Sequence, residues 1–253
     1  MRYYVTADTH GFYTEFMAAL DEAGYFKDQA PHKLIICGDL FDRGKEAVKL
    51  QQFVLDAMDR EEIILIKGNH EDLFEELVTT DQGLAYSYHV SNGTYATALQ
   101  LTGIDLAMAQ VRHFDFAEAA QQTPFYQKII PAMRDYYETE KYVFTHGWIP
   151  CIPENKWQYS FVENWRESSE EEWKKARWLN GMVAFKTARD DKTVVCGHWH
   201  ASFGHCMYGE AAKEFGQYAD FSPFYAPGII ALDACTAASG KVNVVILEDE
   251  PLT

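Results

Sequence analysis

This chain has no long apolar run, few cysteines and too little positive charge to offset its acidic residues. No stretch approaches the roughly 18 consecutive apolar residues of a membrane span. The start, Met-Arg-Tyr-Tyr-Val-Thr-Ala-Asp, has neither the apolar run nor the small-residue cleavage site of a secretion signal. The five cysteines, Cys37, Cys151, Cys196, Cys206 and Cys235, are odd in number and contain no Cys-x-x-Cys pair. That pattern predicts reduced thiols in a cytoplasmic protein, with Cys37 and Cys196 as core residues. The 22 basic against 38 acidic residues leave a net charge of −16. Such a balance argues against broad binding to nucleic acid or to anionic membrane. A phosphorylated substrate stays open, because bound divalent metals reverse the local field. Repeats and low-complexity linkers are also missing.

What is present suits a core-forming protein: 253 residues, 47% hydrophobic and 15% aromatic. The expectation is a single domain, 1–253, carrying insertions. Five short runs rich in β-branched and aromatic residues have the length of buried strands: 2–7, 33–37, 62–67, 141–145 and 192–196. Residues 13–23 group Phe16, Met17, Leu20 and Ala23 on one helical face. Residues 45–58 group Val48, Leu50, Phe53, Val54 and Leu55 in the same way. Alternating strand and helix predicts an α/β fold, with its sheet covered by helices. Beyond residue 72 the rhythm changes. Residues 72–140 read as a helical insertion, broken by turn signals at Gln82-Gly83, Asn92-Gly93 and Thr123-Pro124. Residues 148–190 read as a second, Trp-rich insertion holding Trp148, Trp157, Trp165, Trp173 and Trp178. Strands resume at about 203–208, 228–233 and 241–248.

Each of the five apolar runs leads into a polar cluster. These are Asp8-Thr9-His10-Gly11, Gly38-Asp39-Leu40-Phe41-Asp42-Arg43-Gly44, Gly68-Asn69-His70-Glu71, His146-Gly147 and Gly197-His198-Trp199-His200. Ligand sites of open α/β sheets lie beyond the carboxyl ends of strands, so the five ends predict one shared pocket. Asp8 and His10, like His198 and His200, are two apart on extended chain and point the same way. Carboxylate and imidazole donors without thiolate suit Mn, Fe or Zn. Seven candidate ligands, Asp8, His10, Asp39, Asn69, His146, His198 and His200, would serve two metal ions, with Asp39 shared. Such a pair can bind a phosphoryl oxygen and acidify a water. Glycines beside these residues let the backbone turn sharply and approach the metals.

ADTHG, GDLFDRG, GNHE, THG and GHWH resemble the successive motifs of the calcineurin-like metallophosphoesterases. GDLFDRG and GNHE are more narrowly similar to the phosphoprotein phosphatase branch, which includes bacterial and phage serine/threonine phosphatases and dinucleoside tetraphosphatases. The resemblance spans residues 8 to 200. It implies a four-layer α/β/β/α sandwich with a dimetal site at the C-terminal ends of the strands and helical cap-like insertions. It also implies that Asp8, His10 and His200 hold the first metal, that Asn69, His146 and His198 hold the second, and that Asp39 bridges them. His70 would be the general acid, oriented by Asp42, and Arg43 would bind phosphate beside Asn69. A further phosphate-binding arginine is expected from the second insertion, and Arg177 is the candidate. Gly-His-x-His follows the wider superfamily, and Trp148 stands where relatives have a second glycine, so the pocket wall differs there.

The expected function is metal-dependent hydrolysis of phosphate monoesters by a metal-bridging hydroxide, with Mn favoured and a phosphorylated protein or small phosphoester as substrate. The alternative is a dinucleoside polyphosphate hydrolase, with the tryptophans as stacking faces. A rival of another class is a non-catalytic metal-dependent binding module. Neither a nucleic-acid nor a membrane partner is expected.

Overall fold

The structure, a computed structural model, describes residues 1–79, 86–111, 113–211 and 213–252, leaving out the side chains of Tyr86, His113 and Phe114. The turn expected at Gln82-Gly83 lies outside the described residues. Strand and helix alternate at first: β1 (Arg2–Thr6), α1 (Tyr13–Glu22), β2 (His32–Cys37), α2 (Ala47–Asp59) and β3 (Ile63–Ile66). Both helices are amphipathic. Phe16 and Leu20 are the buried residues of α1, and Ala47, Leu50, Val54 and Ala57 those of α2. Val48, expected on the buried face of α2, is exposed instead, because the buried stripe runs through Ala47 and Leu50.

The stretch from β3 to the next strands is helical: α3 (Asn69–Thr79), α4 (Tyr86–Asn92), α5 (Thr94–Thr102), α6 (Leu106–Val111), α7 (His113–Gln121) and α8 (Ile130–Ala132). Then come β4 (Tyr137–Glu138), β5 (Tyr142–Phe144) and a hairpin of β6 (Cys151–Asn155) and β7 (Gln158–Phe161). Helices α9 (Glu170–Ala176) and α10 (Gly181–Ala184) lead to β8 (Thr193–Cys196) and α11 (Ala201–Tyr208). The chain closes with β9 (Phe224–Ala226), β10 (Ile229–Ala231), α12 (Thr236–Ser239) and β11 (Val245–Glu248). The strand expected at 203–208 is therefore helix α11. A short apolar run does not by itself distinguish strand from helix. Here Ala201 hangs by its N–H from the Asp233 carbonyl and the chain coils directly after His200.

Two sheets carry the fold, in the orders β11-β1-β2-β3 and β4-β5-β8-β10-β9. β1, β2 and β3 run parallel, as do β5, β8 and β10, while β11, β4 and β9 are antiparallel edges. Successive strand residues point to opposite faces, and here both faces are covered. Val5, Ile35, Ile64 and Ile66 meet Phe144, Val195 and Ile230 between the sheets. Tyr4, Leu34, Ile36 and Leu65 face the helices of the first half of the chain. Val143, Val194, Cys196, Ile229 and Ala231 face the second insertion, where Trp148, Trp165 and Trp173 are buried. The result is a four-layer α/β/β/α sandwich. Each buried aliphatic side chain contributes about 1.5–3 kcal/mol relative to exposure. No helix among the described residues is long and apolar enough to cross a membrane.

Candidate metal centre

The parallel strands of both sheets deliver their carboxyl-end loops to one place. Asp8 and His10 follow β1, Asp39, Asp42 and Arg43 follow β2, and Asn69, His70 and Glu71 open α3 just after β3. His146 follows β5, His198 follows β8 and Asp233 follows β10. Backbone hydrogen bonds stitch the loops together: Asp8 N–H donates to Gly38, His10 to Asp39, Gly11 to Leu40, and Gly197 to His146. Five of the seven non-glycine residues with positive φ, among those described, lie here: Asp8, His10, Asp39, Asp42 and His198. Left-handed backbone is unfavourable for such residues, and its concentration at one place marks a functional constraint. The packing is also tight. A Cβ on Gly68 would sit 2.2 Å from Asp39 Oδ1, and one on Gly197 would sit 2.0 Å from Asp8 Oδ2.

Asp39 is the centre of the cluster. Its Oδ2 lies 3.7 Å from His10 Nε2 and 3.8 Å from His70 Nε2, while its Oδ1 lies 3.3 Å from His146 Nε2. Two groups of candidate ligands share it: His10, Asp39 and His70, and Asp39, His146 and His198. Asp8 accepts the His198 backbone N–H on both carboxylate oxygens, at 3.0 and 2.9 Å.

The donor set fits a cation. His10 Nδ1 donates to the Phe41 carbonyl at 2.6 Å and His146 Nδ1 donates to the Cys37 carbonyl at 2.8 Å. Each ring, when neutral, then presents a lone pair at Nε2. His146 Nε2 points at Asn69 Oδ1, 2.8 Å away and itself an acceptor. Two buried acceptors turned on each other beside a carboxylate are satisfied by a positive ion between them.

Titration separates the imidazoles into two kinds. Burial lowers His10 to about 4 and His198 to about 3, and it lowers His146 as well. Neutral rings are what a metal binds. Burial would lower His70 too, but the Asp39 and Asp42 carboxylates outweigh it and raise His70 to about 9. Its Nδ1 donates to Asp42 Oδ2 at 2.8 Å, and Asp42 Oδ2 also accepts from Thr94 Oγ1 at 2.6 Å. Burial opposes charge on Asp39, yet His146, His70, His10 and His198 together hold its carboxyl well below the usual range. Burial pushes Asp8 upward, with Asp233 and Asp39 adding to it.

Two of the residues singled out from the sequence are bonded to carboxylates outside the two ligand groups. His200, like Asp8, belongs to neither ligand group among the described residues. Its Nε2 lies 2.6 Å from Glu214 Oε1, and its ring stacks on Trp199 and meets Phe215 at a tilt. Left-handed backbone at His198, as at Asp8 and His10, breaks the expected two-residue alternation, and here it leaves His200 directed at Glu214. Arg177 is buried, 1% exposed, and its guanidinium is bonded to Asp72, Asp135 and Glu170. It has no open face for a phosphate. Arg43, by contrast, is exposed, and its charge acts on His10, His70 and Asp233. Trp148 does not wall the pocket with a free face. It is fully buried, and its Nε1–H donates to the Ala188 carbonyl at 2.6 Å.

Three further residues serve the site. Glu71 accepts from the N–H groups of Gly68, Asp39 and Leu40, at 2.7, 3.0 and 2.9 Å, and so ties the β2 and β3 loops together. Burial, helped by Asp39, pushes its carboxyl up to about 7. It stands openly in Gly-Asn-His-Glu, but nothing local says which backbone it holds. Asp233 is buried beside Asp8 and Asp39, and burial pushes it up to about 7. The strand-end rule finds it when applied to the sixth strand, β10. Thr94 lies 52 residues from the Asp42 it bonds, and no sequence signal marks it.

A four-layer sandwich with clustered imidazoles and carboxylates at its strand ends defines a metal-dependent hydrolase architecture. The chain belongs to the calcineurin-like phosphoesterases, whose family profile matches residues 1–222. It is 36% identical over 76 residues to the asymmetrical bis(5'-nucleosyl)-tetraphosphatase PrpE of Bacillus velezensis, covering 28% of this chain and 30% of that protein. It is 37% identical over 71 residues to the symmetrical bis(5'-nucleosyl)-tetraphosphatase of Buchnera aphidicola, covering 28% of this chain and 24% of that one. The chain thus spans less than a third of the length of the curated relatives it matches. Among solved structures, it is similar to a protein provisionally described as a diadenosine tetraphosphatase, with a TM-score of 0.50 and 17% identity. That likeness covers 97% of this chain and 89% of the other. It is also similar to a cold-active protein tyrosine phosphatase, with a TM-score of 0.52, 13% identity, and 98% and 73% coverage. At these identities the structures share the fold.

Proposed function

We propose that this chain hydrolyses phosphate monoesters, as a serine/threonine protein phosphatase-like enzyme, at a centre of two divalent metals, with Mn favoured. The observation that carries this reading is the Asp39 carboxylate, which turns one oxygen to His10 and the other to His146. Asp8, His10 and Asp39 would hold one ion; Asp39, Asn69, His146 and His198 would hold the other. Such ions polarise a phosphoryl oxygen and acidify a water beside it. His70 would donate a proton from Nε2 to the departing oxygen. Asp42 fixes the ring through Nδ1, and Thr94 fixes Asp42. Arg43 supplies a planar fork to the phosphate, with Asn69 beside it. The free thiols suit a cytoplasmic setting.

The test is removal and return of metal. Chelation is expected to stop hydrolysis of p-nitrophenyl phosphate and of a phosphoserine peptide, and Mn²⁺ to restore both. Protein that binds Mn²⁺ yet turns over no phosphoester would favour a non-catalytic binding module.

A second reading, hydrolysis of a dinucleoside polyphosphate, is favoured by two exposed indoles. Trp178 lies 5.8 Å from the His198 ring, edge to face, and Trp199 lies 6.2 Å from it. They are 44% and 37% exposed, whereas Trp148, Trp165 and Trp173 are core residues. Aromatic faces beside the reacting phosphate can stack a base. On this reading, Trp178→Ala with Trp199→Ala raises KM for diadenosine tetraphosphate about tenfold or more. KM for a phosphoserine peptide stays within about twofold. Equal loss on both substrates would leave the phosphomonoesterase reading alone.

A further inference from the structure

Arg177 is bonded to three carboxylates at once. Its Nε and Nη2 grip the two oxygens of Asp72 at 2.7 and 3.1 Å, a fork-on-carboxylate pair. Nη1 donates to Asp135 at 2.6 Å, and Nη2 donates also to Glu170 at 2.8 Å. Lys67 adds a second cation to Asp72, at 3.2 Å. A solvated helix arginine would be exposed, and a phosphate ligand would keep donors facing the pocket. Arg177 is buried with its guanidinium spent on three carboxylates.

What these bonds join is informative. Asp72 sits three residues after Asn69 in the first turn of α3, the turn that also carries His70 and Glu71. On its other side Arg177 caps α9, and this end of α9 closes on the residues after His146. Trp148 N–H donates to the Ala176 carbonyl at 3.1 Å, and a Cβ on Gly147 would lie 2.7 Å from the Arg177 carbonyl oxygen. The next residue, Trp178, packs its ring against His198, and its backbone hydrogen-bonds that imidazole. One side chain therefore ties the helix bearing Asn69 to the backbone that supports His146 and His198.

We infer that Arg177 is a positioning residue, locking Asn69, His146 and His198 in register through its fork on Asp72, and is not a ligand of the substrate phosphate. This rests on the dimetal reading of the site. Outer partners of metal ligands typically govern affinity by 10- to 100-fold, and a slack α3 would move Asn69 away from the two histidines.

The experiment titrates Mn²⁺ into metal-stripped protein by calorimetry and follows p-nitrophenyl phosphate turnover on the same samples. Wild type should take up two ions. Arg177→Met, checked for folding by circular dichroism, should weaken one of the two by about tenfold or more, as an outer partner does. Its kcat should fall while KM stays within about twofold, and Arg177→Lys should recover part of the affinity. Asp72→Asn should show the same pattern with Arg177 still in place, and it decides the matter if Arg177→Met does not fold. Wild-type affinity for both ions in folded variants overturns the proposal. So does a tenfold rise in KM with both metals retained, which would return Arg177 to the phosphate. Wild type that binds no pair of ions defeats the metal-site reading itself, a result visible without any variant.

Discussion

Asp39→Asn is expected to abolish phosphoester hydrolysis and to lower affinity for both metal ions together. Asn is nearly isosteric with Asp, so the β2 loop and its tight fit against Gly68 should survive. What disappears is the charge that faces His10 through one oxygen and His146 through the other. An amide keeps one oxygen acceptor and turns an NH₂ toward the other imidazole, whose lone pair then finds a donor in place of a bridge. Because the residue is shared, the loss should exceed the 10- to 100-fold typical of outer partners, reaching at least about 10³-fold in kcat/KM. Metal analysis of the purified variant beside steady-state kinetics checks both halves. Loss of only one ion, with the other bound normally, would show that Asp39 is not shared.

His70→Asn separates turnover from metal binding. Geometry alone would allow His70 into the ligand set, since its Nε2 lies as near Asp39 as that of His10. Its electrostatics point the other way. Burial lowers His10 and His198, while Asp39 and then Asp42 raise His70 to about 9, and the Asp42 share is the one that a metal on Asp39 leaves in place. A group that keeps its proton at neutral pH is suited to give it to a leaving oxygen. The variant is therefore expected to retain both metals and to lose about 10²- to 10⁴-fold in kcat on alkyl phosphates. On 2,4-dinitrophenyl phosphate, whose leaving group needs no proton, the loss should be small. The pH profile gives a second check. The acid form is lost as pH rises through the folded pKa, so activity should decline on the alkaline side. Asp42→Asn, which removes one source of the upward shift, should move that decline to lower pH. A His70→Asn protein that binds only one metal would place His70 among the ligands.

Much of this site is legible without coordinates because strand-end chemistry is local. A side chain within a few residues of a strand's carboxyl end is carried to the shared pocket by the sheet. Asp8, His10, Asp39, Asn69, His146 and His198 all obey that rule. His200 shows its limit. Two-residue alternation holds only on extended chain, and left-handed backbone at Asp8, His10 and His198 ends it in both pairs; the loop contacts of Asp8 and His10 still bring them to the site, whereas His200 lies against Glu214. Asp233 obeys the rule and is simply less conspicuous, since a lone Asp after a three-residue strand carries no motif.

The sequence by itself determined the alternating strands and helices of the first half, the strand-end cluster and the family that cluster resembles. These depend on periodicities of two and 3.6 residues and on short polar motifs, all contained within a few residues of chain. Tertiary structure alone decided that Arg177 faces Asp72, 105 residues away. It also decided that Thr94 supports Asp42, and that Trp178 and Trp199 keep exposed rings while Trp148, Trp165 and Trp173 fill the core. The burial of a tryptophan or the partner of an arginine depends on what other elements bring to it. No spacing within the residue's own segment encodes that.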